Sequence, residues 1–202
     1  MKPILILYAT REGQTRRIAE HIAHYLVARG LEARAEDVEN PIENIDPSHF
    51  RAVMLAASVH HGQHAREMIG FARANREALA RLPTAFLSVS LAAASAADPR
   101  QTGAKHARTS PEIARATQDF LDRTGLSPTR ILPVAGALLY SEGGRLVRFV
   151  MQRLPQDTAL DADGSFDFEY AAWARLDRFV DDFLSLRRSV PVPGQSPVPA
   201  HA

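Results

Sequence analysis

The sequence predicts an α/β domain with a doubly wound, five-stranded parallel sheet in the order 2-1-3-4-5, helices on both faces and an insertion after the fifth strand. Two patterns predict it. Short, continuous apolar runs recur along the chain, beginning with Pro3–Tyr8. A strand reads this way when both of its faces are covered, as in a parallel sheet. Segments with apolar residues every three or four positions lie between these runs. Strand and helix therefore alternate as they do in right-handed βαβ units.

Taken in order, the first strand is Pro3–Tyr8. A helix opens at Thr15, carries Ile18, Ile22 and Leu26 at i+4 spacing with Ala19, Ala23 and Val27 beside them, and stops at Gly30. Leu31–Val38 forms the second strand and Arg51–Ala57 the third. Ala65–Arg81 is a helix with Met68, Phe71, Leu79 and Leu82 as core residues, and Pro83–Val89 is the fourth strand. Leu91–Ala107 is rich in small and polar residues and reads as a loop. Ser110-Pro111 then offers an N-cap with proline at the first helical position, ahead of Ile113, Thr117, Phe120 and Leu121. The fifth strand is Arg130–Leu139, and Pro133 within it calls for a place at the sheet edge. Glu169–Leu186 is a last helix, with Trp173, Leu176, Val180 and Phe183 along one stripe. The domain spans 1–188, and the proline-rich tail 189–202 reads as disordered.

Composition narrows the function. The 202 residues contain no cysteine, which removes disulfides, thiolate metal sites and cysteine nucleophiles. A net charge of +1 is too balanced for a dedicated nucleic-acid binder. The apolar run Ile4–Ala9 is too short for a signal segment or a membrane span, and no later segment approaches the roughly 18 unbroken apolar residues that a span needs. The expected location is cytoplasmic, with at most peripheral contact at the inner face of the cell membrane.

In a doubly wound sheet, ligands bind beyond the carboxyl ends of the strands, at the switch between strands one and three. The loops Thr10–Thr15, Ser58–His64, Ser88–Thr102 and Ala135–Tyr140 fall there. The first is Thr10-Arg11-Glu12-Gly13-Gln14-Thr15, a T-x-x-G-x-T pattern. A helix that starts at Thr15 turns free N–H groups and its positive dipole end toward this turn. Gly13 allows close backbone approach, and the two threonines bring hydroxyl donors. Neither a P-loop lysine nor G-x-G-x-x-G is present. The turn thus suits one terminal monophosphate rather than a triphosphate or a dinucleotide. A turn that needs only capping is the alternative.

These residues resemble a known family. ILYATREGQTRRIA resembles the FMN-phosphate loop of the flavodoxin superfamily, and more narrowly that of the bacterial menaquinone-dependent protoporphyrinogen oxidases. AASVHHGQH (Ala56–His64), LPTAFLSVSL (Leu82–Leu91) and VAGALLYSE (Val134–Glu142) resemble the second flavin loop, the fourth strand with the third loop, and the fifth strand of that family. The resemblance covers roughly residues 3–185. It implies FMN as cofactor, wrapped at its phosphate by Thr10, Arg11, Glu12, Gly13, Gln14 and Thr15. The isoalloxazine would be flanked by Ser58, Val59, His60, His61 and Gly62 and by Ser88, Val89, Ser90 and Leu91, largely through backbone. It also implies oxidation of protoporphyrinogen IX in haem biosynthesis, with electrons passed to a quinone. One departure concerns the insertion, which is long, basic and aromatic in the family. Here Ser141–Gly164 sets Arg145, Arg148 and Arg153 against four acids, with Phe149 its one aromatic residue.

No catalytic side chain stands out, because a flavin carries the reactive chemistry itself. His60 or His61 can move a proton near neutral pH or serve as plain exposed loop residues. His60, His61 and His64 form an H-H-x-x-H cluster on a predicted loop, with no acid before Glu67, so no metal is expected. Tyr140 can stack on a flavin or porphyrin, or pack into the core. The amphipathic stretch Gly144–Leu154 can rest on a membrane, cover the open sheet edge or form a dimer contact. Two other functions use the same loops: a flavodoxin-type electron carrier and an NAD(P)H-quinone reductase. A pI of about 8.2 fits poorly with the acidic docking face of a carrier.

Overall fold

The computed structural model describes residues 2–41, 44–90, 104–135 and 164–185. Strand β1 (Ile4–Ala9) is buried along its whole length. Even-numbered Ile4, Ile6 and Tyr8 face one apolar layer, and odd-numbered Leu5, Leu7 and Ala9 face another. This two-sided burial is why the run carries no polar alternation.

On the even side, helix α1 (Gln14–Ala28) lays Ile18, Ile22 and Leu26 onto the sheet, all fully buried. Val27 falls outside that stripe and is 54% exposed, a correction to its expected place beside the core. The helix closes with Leu31 N–H to Leu26 C=O and Gly30 N–H to Val27 C=O, the Schellman pair.

Strand β2 (Ala33–Asp37) pairs with β1 at the outer side, and β3 (Ala52–His60) pairs with β1 at the inner side. A 3₁₀ turn at Pro47–His49 leads into β3. β3 runs past the expected end at Ala57, so Ser58, Val59 and His60 are strand rather than loop. β-branched Val59 suits that extension. A two-residue strand, β4 (Gln63–His64), returns antiparallel to it.

The single helix expected over Ala65–Arg81 is two: α2 (Arg66–Ala74) and α3 (Arg76–Ala80). Asn75 breaks it with φ −108° while its amide donates to the Phe71 carbonyl. Such backbone bonding by an asparagine competes with the helical ladder. Met68 and Leu79 are buried as expected, and Phe71 and Leu82 partly so.

β5 (Thr84–Ser90) is buried throughout. Helix α4 (Ala104–Thr124) starts before the expected cap, so Ser110 is interior and Pro111 lies inside the helix. Good helix formers at Ala104, Lys105, Ala107 and Arg108 extend the helix upstream. The proline costs one intrahelical bond there. Among the described residues β6 (Arg130–Ala135) pairs only with β5, which puts Pro133 in an edge strand as expected. Helix α5 (Gly164–Ser185) closes the described chain, with Leu176, Val180 and Phe183 buried and Trp173 packed against them.

The sheet order is β2-β1-β3-β5-β6, with β4 hanging off β3. Without that stub it is the expected 2-1-3-4-5. Helices α1 and α5 cover one face and α2, α3 and α4 the other. His21 Nε2 lies 2.8 Å from Asp177 Oδ1, and the Tyr25 hydroxyl donates to Asp181 at 2.9 Å, pinning α5 against α1. Among the described residues no helix is long and apolar enough to cross a membrane.

Candidate functional site

Three segments meet the carboxyl edge of the sheet: the turn after β1, the β3–β4 hairpin and the end of β5. The turn is built by its own residues. Thr10 Oγ1 accepts from the Gly13 amide at 3.0 Å, which curls residues 10–13 back on themselves. Gly13 then caps α1 with φ +81°, a left-handed conformation that side-chain-bearing residues rarely take. A Cβ at Gly13 would meet open space, so the backbone angle rather than crowding demands glycine.

The first helical bond runs from Arg17 N–H to Gly13 C=O, so the amides of Gln14, Thr15 and Arg16 precede the ladder. No side chain caps them, and the first turn carries no acid. Thr15 is fully buried, and its Oγ1 has no hydrogen-bond partner among the described residues. A buried, unpartnered hydroxyl is costly unless something else satisfies it. A phosphate oxygen at this helix start would do so while meeting the free amides and the dipole. The residues therefore fit a phosphate ester.

Arg11 reaches out of the turn toward Glu67 in the first turn of α2, with Nη2 3.9 Å from Oε2. That is an ion pair too long for a hydrogen bond. The Glu67 backbone amide and then Arg66 hold the Glu67 carboxyl below the usual carboxylate range.

The hairpin turns on His61 and Gly62, with φ +49° and +76°. Positive φ at both central positions is what a type I′ turn needs, and its twist suits two-residue loops. His60 pairs with Gln63 and Val59 with His64. His60 and His61 are exposed at the tip, with their rings edge-on at 4.4 Å. Ser58 Oγ is buried without a partner.

His64 behaves differently from its two neighbours. It is 4% exposed, and its Nε2 lies 3.0 Å from Ser88 Oγ. Its ring stands edge-on to Phe86 at 5.1 Å and to Phe120 at 5.3 Å. Burial holds its imidazole down at about 4, against an ordinary 6.5, with the Ala116 backbone and Asp119 pulling weakly the other way. Nδ1 has no partner at hydrogen-bond geometry. The H-H-x-x-H cluster is thus split between an exposed tip and the core. Among the described residues no group of three or more histidines and acids has metal-binding geometry.

Ser88, Val89 and Ser90 are the last three residues of β5, all buried, and so are strand rather than the start of a loop. Ser58 pairs with Val89, which brings the second and third candidate segments side by side. Leu91, Tyr140 and the stretch Gly144–Leu154 lie outside the described residues, as does the tail 189–202. The His64–Ser88 link is the feature that the motifs did not announce. The signal for it lay in V-H-H-G-Q-H, where glycine at the second position of a two-residue turn marks a hairpin and aims His64 inward.

Comparison with known proteins agrees with this arrangement. Flavodoxin 1 from Bacillus cereus aligns over 91% of this chain and 97% of its own, with a TM-score of 0.50 and 14% identity. A short-chain flavodoxin associated with a bacterial microcompartment aligns over 92% and 99%, also at 0.50, with 11% identity. These two establish the fold alone. Two curated proteins are similar along most of the sequence, and both are named protoporphyrinogen IX dehydrogenase [quinone]. The Leishmania major protein is 29% identical over 93% of this chain and 77% of its own length. The Escherichia coli K12 protein is 27% identical over 90% and 94%. The model of the family described as Flavodoxin domain matches residues 5–164. With that match spanning most of the sheet, the chain belongs to the flavodoxin domain family.

Proposed function

We propose that this chain is an FMN-dependent oxidoreductase that takes reducing equivalents from protoporphyrinogen IX and passes them to a quinone. The observation that carries the cofactor is the start of α1, where uncapped amides surround the buried, unpartnered hydroxyl of Thr15. The flavodoxin family supports FMN as the phosphate ester that fits it. The substrate pair is supported by the two relatives that share this domain over nine-tenths of the present sequence.

FMN, when bound, supplies the hydride and electron chemistry. The chain's part is binding and orientation. Thr10 keeps its O–H free to donate while its oxygen holds the Gly13 amide. Thr15 donates from inside the turn, and the amides of residues 14–16 complete the cradle. Backbone groups of Ser58–Gly62 and Ser88–Ser90 would flank the flavin ring. The exposed imidazoles of His60 and His61, at the hairpin tip, would be the groups to accept a substrate proton at a ring nitrogen.

The test is a visible spectrum followed by an assay. Purified protein incubated with FMN and desalted is expected to stay yellow, and then to form porphyrin from protoporphyrinogen IX when a soluble quinone is added. Fully loaded protein that forms no porphyrin above the rate of free FMN overturns the substrate assignment. Protein that remains colourless overturns the cofactor.

A further inference from the structure

We propose that the buried His64–Ser88 hydrogen bond is a positioning strap that sets the β3–β4 hairpin against the end of β5, and so fixes the gap in which the flavin ring is held. The proposal rests on the FMN reading above. It assigns His64 and Ser88 a role that neither the phosphate turn nor the hairpin tip performs.

The need for a strap follows from the topology. β4 has two residues and, among the described residues, pairs only with β3. Two residue pairs, Val59 with His64 and His60 with Gln63, are all the ladder this arm has. A two-stranded ribbon of that length is marginal by itself. It also runs three residues past Ala57, the partner of the last β1 residue, so β1 gives no lateral support there. The β3–β5 ladder ends at Ser58 with Val89, so Val59 and His60 lie beyond it and the tip needs a further tie to β5.

His64 is built for that. Its backbone sits in the short arm, and its side chain passes beneath α4 into the apolar layer. Phe86 and Phe120 stack on each other at 4.0 Å and 3°, and the imidazole sits beside the stack, 5.1 and 5.3 Å from the two ring centroids and inclined at 63° and 66°. With the ring plane fixed by the two phenylalanines, the Nε2–Ser88 bond fixes the remaining freedom, rotation within that plane. Ser88 lies two residues before the last residue of β5. The bond therefore joins the two backbone segments proposed to flank the ring.

Stability alone does not account for a polar pair beside this stack. A buried hydrogen bond adds little net stability over two apolar groups of the same shape. Imidazole and hydroxyl both lose hydration here, and among the described residues nothing meets Nδ1 at hydrogen-bond geometry, the Ala116 backbone acting on the ring only weakly. A hydrogen bond does what aliphatic contact does not: it fixes a distance and a direction. Such a pair is expected where a site has to be held within a fraction of an ångström.

The test separates placement from folding. Five proteins are compared: wild type, His64→Leu, His64→Gln, Ser88→Ala and the double variant His64→Leu/Ser88→Ala. Each is measured for FMN affinity by flavin fluorescence, for the bound flavin's visible spectrum and for its urea midpoint. His64→Leu at pH 7 is expected to keep its midpoint yet bind FMN at least tenfold more weakly, with a shifted flavin band. His64→Gln, whose amide can still reach Ser88, is expected to recover most of the affinity and the native band. The double variant His64→Leu/Ser88→Ala is expected to lose no more affinity than His64→Leu alone. Unchanged affinity and spectrum in His64→Leu overturn the strap, as does a loss that merely tracks a fallen urea midpoint in all variants. A wild-type protein that takes up no FMN overturns the function proposed above instead, so the two failures are distinguishable.

Discussion

Acidifying the protein from pH 7 to about 4.5 loads a proton onto His64 in the unfolded chain long before it does so in the folded one. The imidazole is held at about 4 in the fold, against an ordinary 6.5. The unfolded state therefore binds more protons throughout that window, and stability must fall as pH falls through it. At pH 4.5 the two values give a loss of roughly 2.5 kcal/mol, and at pH 7 roughly 0.2, so the drop assigned to this one residue is about 2 kcal/mol. Desolvation is the main cause, and Asp119 on α4 is the charged group that softens it. Carboxylates such as Glu67, held low in the fold, also lose stability on acidification. The measurement is therefore a difference: urea unfolding of wild type and His64→Leu at both pH values. Leucine has no proton to take up, so the variant should lose about 2 kcal/mol less than wild type between pH 7 and 4.5. Equal losses would refute the reasoning, because they would mean that the imidazole is either hydrated or already charged in the fold.

Thr15→Val removes a hydroxyl that is buried without a partner, so urea stability should hold or rise by about 1 kcal/mol while FMN affinity falls tenfold or more. A loss of both together would mean that the hydroxyl is satisfied within the protein. Gly13→Ala forces a Cβ into φ +81° with open space around it, and should cost about 1–2 kcal/mol in thermal or urea unfolding through backbone strain alone. Gly13→Asn should cost less, since asparagine tolerates that region. Phe120→Ala removes one ring of the stack beside which His64 sits, and should cost about 3–5 kcal/mol by urea titration.

The parts of this chain that were legible in its sequence are those whose cause is local. Both faces of β1 are covered, so its letters are all apolar, and nothing distant is needed to read it. The same holds for the stripe Ile18, Ile22 and Leu26, for Pro133 at an edge, and for the shape of the turn Thr10–Thr15, where Thr10 accepts from the Gly13 amide and the helix starts at Gln14. Where the reading departed from the structure, the deciding partner was elsewhere or the local signals conflicted. Pro111 looked like a helix start, but a run of good helix formers upstream carried the helix through it. Ser58–His60 looked like a loop because polar letters follow an apolar run. They are strand because Ser58 is paired with Val89, about thirty residues on, and because a two-residue turn folds His64 back beside Val59. His64 itself is a polar letter in a core, which no periodicity flags, and its partner Ser88 is 24 residues away. The contrast divides the candidate site in two. Its anion-binding half depends on amides that any chain with this turn would present. The half proposed to flank the ring depends on how far β3 runs past β1 and on partners distant in sequence: the Ser58–Val89 pairing, the two-residue hairpin turn and the His64–Ser88 hydrogen bond.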